Sequence, residues 1–190
     1  MSLSLLSNTA FIFGTFKLSQ EAISFAIKNK LVIDTATGYN NASLIGKALK
    51  ESKTDTIIIT KFSPQDFENS IKDNAKKHCD ELSKVPEFVL IHSPLKTDED
   101  NLKAFSELSQ LFPKSIIGVS NFSIFQIEYL LKNGCRPGIV SIEFHPYFQP
   151  KKLLNYCKHN NILVTGYRSF AKGEIFKDQL IKEIADFSND

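Results

Sequence analysis

Apolar and polar positions along this chain follow two periods that take turns. Runs of four to six mostly β-branched or large apolar residues fall at 11–15, 31–35, 56–61, 87–92, 116–120, 139–143 and 162–167, every 20 to 30 residues. Runs that continuous predict strands buried on both faces of a parallel sheet. Stretches with helical spacing lie between and after them, at 19–29, 41–52, 65–83, 99–112, 123–133, 150–160 and 176–187. Ala22, Ile23, Ala26 and Ile27 recur at helical intervals, as do Leu44, Ile45, Ala48 and Leu49, so each set gives one apolar face. Start signals agree with these spans. Ser19 precedes the first helix, Pro64 opens the third, and Ser123 with Gln126 makes a capping-box pattern ahead of the fifth. Asn133-Gly134 and Pro137-Gly138 punctuate the return to the sixth strand.

A repeated β-α unit forms either a barrel or an open doubly wound sheet. The first strand runs into FGTFKLS, which lacks the GxGxxG glycines of a dinucleotide-binding open sheet. Site-like residues at many strand ends favour an α/β fold of the (β/α)8 TIM-barrel type, in which every strand end faces one mouth. Such a barrel takes ~250 residues. With 190 residues and no apolar run after 167, the expectation is an incomplete barrel of about seven parallel strands in a single domain, 1–190. Two free barrel edges would invite pairing, so self-association or a complementing chain is expected there.

Composition narrows the partners. Lys plus Arg number 23 against 21 Asp plus Glu, with no run of five like charges, which argues against a nucleic-acid groove or a membrane surface. No apolar run approaches the ~20 residues a membrane helix needs. Cys79, Cys135 and Cys157 are odd in number and form no CxxC pair, so neither a disulfide framework nor a thiolate metal site is supported. Reduced, buried thiols are expected. The start, MSLSLLSNTAFIF, has no basic n-region and reads as mature sequence of a cytoplasmic protein.

Four of the apolar runs end in groups that carry proton chemistry: LVIDTATGY in Asp34 and Tyr39, TIIITK in Lys61, EFVLIH in His92, and IIGVSN in Ser120 and Asn121. Polar groups at the carboxyl ends of parallel strands sit where loops converge on a ligand. A phenol has an ordinary pKa near ~10, which an adjacent ammonium lowers. A carboxylate can hold that ammonium charged, and a neutral imidazole can aim a carbonyl oxygen at the phenol. Such a set suits protonation of an oxygen while hydride arrives at carbon, and hydride implies a nicotinamide cofactor. Singly, each residue has a plainer reading. Asp34 suits a turn, Ser120 and Asn121 suit a helix cap, and His92 suits a hydrogen-bonded core. Lys61 is sharper, because an ammonium after an apolar strand needs a partner. His145 reads as structural, and His78 and His159 as solvent-facing residues on helices.

IDTATGY, ITK, LIHSP, IGVSNF, IEFHP and GYRSF, in this order, resemble the aldo-keto reductases from about residue 11 to 187. The resemblance implies an NADP(H)-dependent carbonyl reductase acting on a small-molecule aldehyde or ketone. It implies a catalytic set of Asp34, Tyr39, Lys61 and His92 and no metal. It also implies cofactor contacts from Gly14, Thr15, Ser120, Asn121, Ser141, Tyr167, Arg168 and Ser169, with Tyr167 stacking on the nicotinamide. Phe16, His92 and Ser93 would line the substrate pocket. The chain departs from the family pattern at Ser141, where a carboxamide-binding glutamine is usual, at Ser93, where a bulky aromatic is common, and at Ala42, where a glutamate is usual. The segment that grips the adenosine 2′-phosphate has no match in these residues. A catalytically weak or inactive binding or structural protein of this kind, or a truncated fragment, is the alternative reading.

Overall fold

The computed structural model describes Leu6 and residues 11–188, and seven strands in it form one parallel sheet whose order is the order of the chain. They are β1 (Ile12–Gly14), β2 (Val32–Asp34), β3 (Ile58–Phe62), β4 (Phe88–Ile91), β5 (Ile116–Ser120), β6 (Ile139–Glu143) and β7 (Leu163–Tyr167). The sheet curls into a nearly closed barrel with helices outside it, an incomplete (β/α)8 arrangement. β5 and β6 coincide with the apolar runs that predict them, and the other strands lie within two residues of theirs. The expectation about a leader at the N-terminus falls largely on residues outside those described.

Burial explains why these runs are continuous. β3 and β4 are buried along their whole length, because one face meets the barrel interior and the other meets helices. Leu6, Val32, Ile59, Phe88, Leu90 and Ile139 pack together as an inner cluster. Among the described residues β1 and β7 pair on one side only, and both are half-exposed. Together with Ile59 and Ser141 they line a cavity of about 610 Å³. That cavity is the seam of the barrel.

Helices α1 (Gln20–Lys28) and α2 (Ala42–Ser52) cover the β2 side, burying Ile23, Ala26, Ile27, Ile45 and Ala48 against Ile33 and Ile58. Each such large side chain contributes about 1.5–3 kcal/mol of hydrophobic stabilisation. Gly46 lets α2 approach closely, since a Cβ there would stand 2.1 Å from the Glu81 carbonyl oxygen. The capping signals hold: the Ser19 hydroxyl accepts the Ala22 amide, and Ser123 and Gln126 form a capping box at α6 (Ile124–Lys132).

The single helix expected over 65–83 is two, α3 (Pro64–Glu68) and α4 (Ile71–Leu82). Asn69 leaves the helical conformation, and Ser70 starts a new cap by accepting the Asp73 amide at 3.3 Å. His78 is not solvent-facing. It lies on the buried face of α4 with Ile71, Ala75 and Leu82, 5% exposed, with Nε2 2.7 Å from the Thr60 hydroxyl and its ring edge-on to Phe62. His159 is exposed, as expected. The remaining helices are α5 (Asp98–Leu111), α7 (Lys151–His159) and α8 (Gln179–Ser188), which follows a 3-10 stretch at Ala171–Lys177 and buries none of its residues. No helix among the described residues is long and apolar enough to cross a membrane. None of the three thiols is bridged; Cys157 is buried, and Cys79 and Cys135 are half-buried.

Candidate active site

A parallel sheet puts all its carboxyl ends on one rim, and the rim gathers the strand-end residues around a cavity of about 580 Å³. Asp34 ends β2. Three residues later the chain makes a 3-10 turn, Thr37–Tyr39, closed by Asn40 in the left-handed conformation (φ 52). Lys61, on β3, is 2% exposed and forms an ion pair with Asp34, and its Nζ also donates to the Thr35 carbonyl at 3.4 Å. His92 follows β4, held by its own N–H donating to the Phe62 carbonyl at 2.8 Å. The Tyr39 ring stands 5.8 Å from the His92 ring, edge-on, and 5.6 Å from Lys61 Nζ. Phe16 closes that side, with its ring 5.0 Å from Tyr39.

Across the mouth stand Ser120, Asn121, Tyr167 and Arg168. Asn121 takes a left-handed conformation (φ 65), which turns its side chain along the rim. Its Nδ2 donates to the His92 carbonyl at 2.9 Å and to the Ser120 hydroxyl at 3.1 Å, and its Oδ1 accepts the Tyr167 hydroxyl. This belt ties the ends of β4, β5 and β7 together. Arg168 donates to Glu143 at 2.9 Å, and Glu143 also lies 3.2 Å from His145 Nε2.

Not every expected residue reaches the mouth. Gly14 lines it, but Thr15 is fully buried and turned away, donating through both N–H and hydroxyl to the Asp34 carbonyl at 3.0 and 2.9 Å. Ser93 is half-buried and lies outside the lining. Ser141 and Ser169 border the seam cavity instead, although that cavity shares Gly14, Asp34, Tyr167 and Arg168 with the mouth. Residues that sequence reading passed over include Lys172, on the mouth, and Asn41. The Asn41 amide group donates to the Thr15 carbonyl and hydroxyl and accepts from Thr35, bracing the ends of β1 and β2. Ser63-Pro64-Gln65-Asp66 also escaped notice, although its spacing is that of a capping box.

Electrostatics corrects one expectation. Lys61 does not bring the phenol below its ordinary value. Burial, then the Asp34 and Tyr167 charges, push Tyr39 up to about 12, with Arg168 opposing. The ammonium is already spent on Asp34. Tyr39 is therefore a fully protonated acid at neutral pH. An alkoxide, whose alcohol is about as weak an acid as water and far weaker than a phenol, would still take its proton downhill. His92 is held below its ordinary value by burial first and then by Lys61, while Asp34 and Asp66 oppose, so its imidazole is neutral at neutral pH.

A parallel barrel with a phenol, an ammonium-carboxylate pair and an imidazole on its rim is a (β/α)-barrel with its site at the strand ends. The chain belongs to the Aldo/keto reductase family, whose family model matches residues 15–189. It is 30% identical over 195 residues to the methylglyoxal reductase DkgB of Salmonella typhimurium, covering 93% of this chain and 72% of the relative. It is also 30% identical over 196 residues to the glyoxal reductase of Bacillus subtilis, covering 93% and 68%. The crystal structure of MGS-M4, an aldo-keto reductase from a Medee basin deep-sea metagenome library, superposes with a TM-score of 0.81 at 26% identity, covering 94% of this chain and 71% of that one.

The family uses a nicotinamide cofactor, and the donor set opposite Tyr39 fits one. A hydroxyl and a primary amide, Ser120 and Asn121, complement a carboxamide. The Tyr167 ring offers a stacking face, and Arg168 offers a cation for phosphate. Asn121 is already satisfied by His92, Ser120 and Tyr167, so a carboxamide would take its place by exchange with them.

Proposed function

We propose that this protein is an NADP(H)-dependent reductase of aldehydes or ketones in which Tyr39 is the general acid. The observation that carries the reading is the Asp34–Lys61 ion pair packed beneath the Tyr39 ring, with neutral His92 beside it, on one rim. His92 donates through Nε2 to the carbonyl oxygen of the substrate and sets its direction. Tyr39 passes its hydroxyl proton to that oxygen as the C=O π pair collapses onto it. Lys61, fixed by Asp34, stabilises the phenolate left behind. Ser120, Asn121, Tyr167 and Arg168 hold the cofactor, which when bound supplies hydride to the carbonyl carbon. The mouth, about 580 Å³, lies within the usual range for small-molecule pockets. The DkgB and glyoxal reductase relatives support small 2-oxoaldehydes as first substrates to try. The unbridged thiols suit the cytoplasm.

The test is NADPH oxidation with methylglyoxal, glyoxal and a panel of larger aldehydes, alongside Tyr39→Phe. Loss of ~10²-fold or more in kcat for the variant is expected. A wild type no faster than Tyr39→Phe overturns the reading. One observation favours a second reading, a binding protein without turnover: burial and the Asp34 charge leave Tyr39 a weaker acid than an ordinary phenol, at about 12. Titration of NADPH fluorescence separates the two, since tight binding without oxidation of cofactor supports the second.

A further inference from the structure

One carboxylate outside the mouth joins the segments that carry the mouth's reactive groups. Asp66, in α3, accepts two hydrogen bonds on a single oxygen, Oδ2: one from the Thr37 hydroxyl at 2.6 Å and one from the Ser63 amide at 2.7 Å. The Ser63 bond is local, a capping contact at the start of α3. The Thr37 bond reaches back 29 residues to the 3-10 turn that ends in Tyr39. Charged acceptors make the stronger hydrogen bonds, and both of these are short.

Three further contacts converge on the same place. The Thr37 hydroxyl lies 3.4 Å from the Lys61 carbonyl oxygen. The Ser63 hydroxyl lies 3.5 Å from His92 Nδ1, and when it donates there the ring proton stays on Nε2, the nitrogen needed at the mouth. A Cβ on Gly38 would stand 3.3 Å from that same hydroxyl, so the turn packs directly against Ser63. Between Thr35 and Asn41, which bond to each other, the turn's only side-chain hydrogen bonds among the described residues are those of Thr37. Tyr39 itself makes none.

We infer that Asp66 is a positioning residue whose carboxylate clamps the Tyr39 turn onto the end of β3, setting the phenol against Lys61 and, through Ser63, against His92. The catalytic part of this inference rests on the reductase reading; the clamp itself does not. Helix capping alone would need the Ser63 bond and not the Thr37 bond.

Three variants separate the cases. Thr37→Val removes the hydroxyl, and with it the 2.6 Å bond to Asp66 and the two longer 3.4 Å contacts to the Lys61 carbonyl and the Ser63 amide, and leaves the Ser63–Asp66 cap of α3 intact. Asp66→Ala removes both bonds. Asp66→Asn keeps an amide oxygen where both donors converge and loses only the charge. A displacement near 1 Å at a reacting group costs on the order of 10²-fold. The expected result is a fall in kcat of about 10–100-fold for Thr37→Val and Asp66→Ala. Asp66→Asn is expected to stay within several-fold of wild type, and NADPH affinity by fluorescence is expected to be unchanged in all three. In the protein without cofactor, amide hydrogen exchange at Gly38 and Tyr39 should speed up in Thr37→Val and Asp66→Ala and not in Asp66→Asn. Wild-type exchange at the turn in Thr37→Val overturns the clamp, as does Asp66→Asn behaving like Asp66→Ala. A wild type without turnover would overturn the reductase reading alone, because the exchange measurement needs no activity.

Discussion

Replacing Lys61 with Met leaves the Asp34 carboxylate buried beneath the mouth without its counter-ion. The Lys61 side chain is 3% exposed and that of Asp34 is 17%. Removing one partner of a buried pair costs about 3–5 kcal/mol, because the surviving charge stays desolvated. Asp34 borders the cavity, where water relieves part of that penalty, so the low end, about 3 kcal/mol, is expected. With a urea m-value of about 2 kcal/mol/M, the unfolding midpoint falls by about 1.5 M. The double variant Lys61→Met with Asp34→Asn removes the orphaned charge and should recover more than half of that loss, giving a positive coupling in a double-mutant cycle. The same substitution tests the rim's electrostatics. Lys61 is the second cause of the lowered His92 pKa, after burial, and Asp34 pulls the other way. Without Lys61 the imidazole pKa rises, which an NMR titration of His92 reads directly. A midpoint that does not move, or a double variant no more stable than Lys61→Met, would refute the reasoning.

Three further outcomes follow from the packing and charge already described. His78 is buried and its pKa is lowered from 6.5 to about 4, so the unfolded chain takes up a proton that the folded chain refuses. Its contribution is intact above about pH 6.5 and is lost between about 6.5 and 4, on the order of 3 kcal/mol. Urea midpoints of His78→Gln should show a flatter acid limb than wild type across that window. Gly46→Ala forces a Cβ onto the Glu81 carbonyl and should cost about 2–3 kcal/mol in thermal or urea unfolding. Tyr39, raised to about 12, should stay un-ionised through the neutral and mildly alkaline range. A tyrosinate titration of wild type against Tyr39→Phe should show no difference below about pH 10, and one phenol ionising near 8 only in wild type would contradict it.

The sequence revealed the fold where apolar runs were uninterrupted and bounded by turn residues, as at β5 and β6. It misled where polar residues fit two structures equally. Asn69 and Ser70 suit a solvated helix face, and only their caps show that the helix breaks there. His78 was legible in principle, since its spacing from Ile71, Ala75 and Leu82 is helical. Thr15 lies just past β1 and Phe16 in the turn that follows, so no strand period tells the buried Thr15 from Gly14 and Phe16, which line the mouth. The grouping of Asp34, Tyr39, Lys61 and His92 at one rim was expected from four strand ends. The acidity of the phenol was not accessible, because it depends on how deeply Tyr39 is buried and on whether Asp34 takes the ammonium first. The Thr37–Asp66 bond links residues far apart in sequence, and no local spacing announces such a contact.

Since every strand pairs only with its neighbours in chain order and the outer edges of β1 and β7 stay apart, assembly of the described sheet never requires the first strand to find the last. Each step closes a loop no longer than one strand and its crossover, which keeps the entropy of closure low and nearly constant along the chain. Energetically such an array behaves like a stack of repeats in a row, able to nucleate at the deeply packed β3–β5 segment and grow outward. Burial thins toward both seam strands, but β7 keeps five ladder pairs with β6 against three between β1 and β2, so β1 would peel away under denaturant before β7.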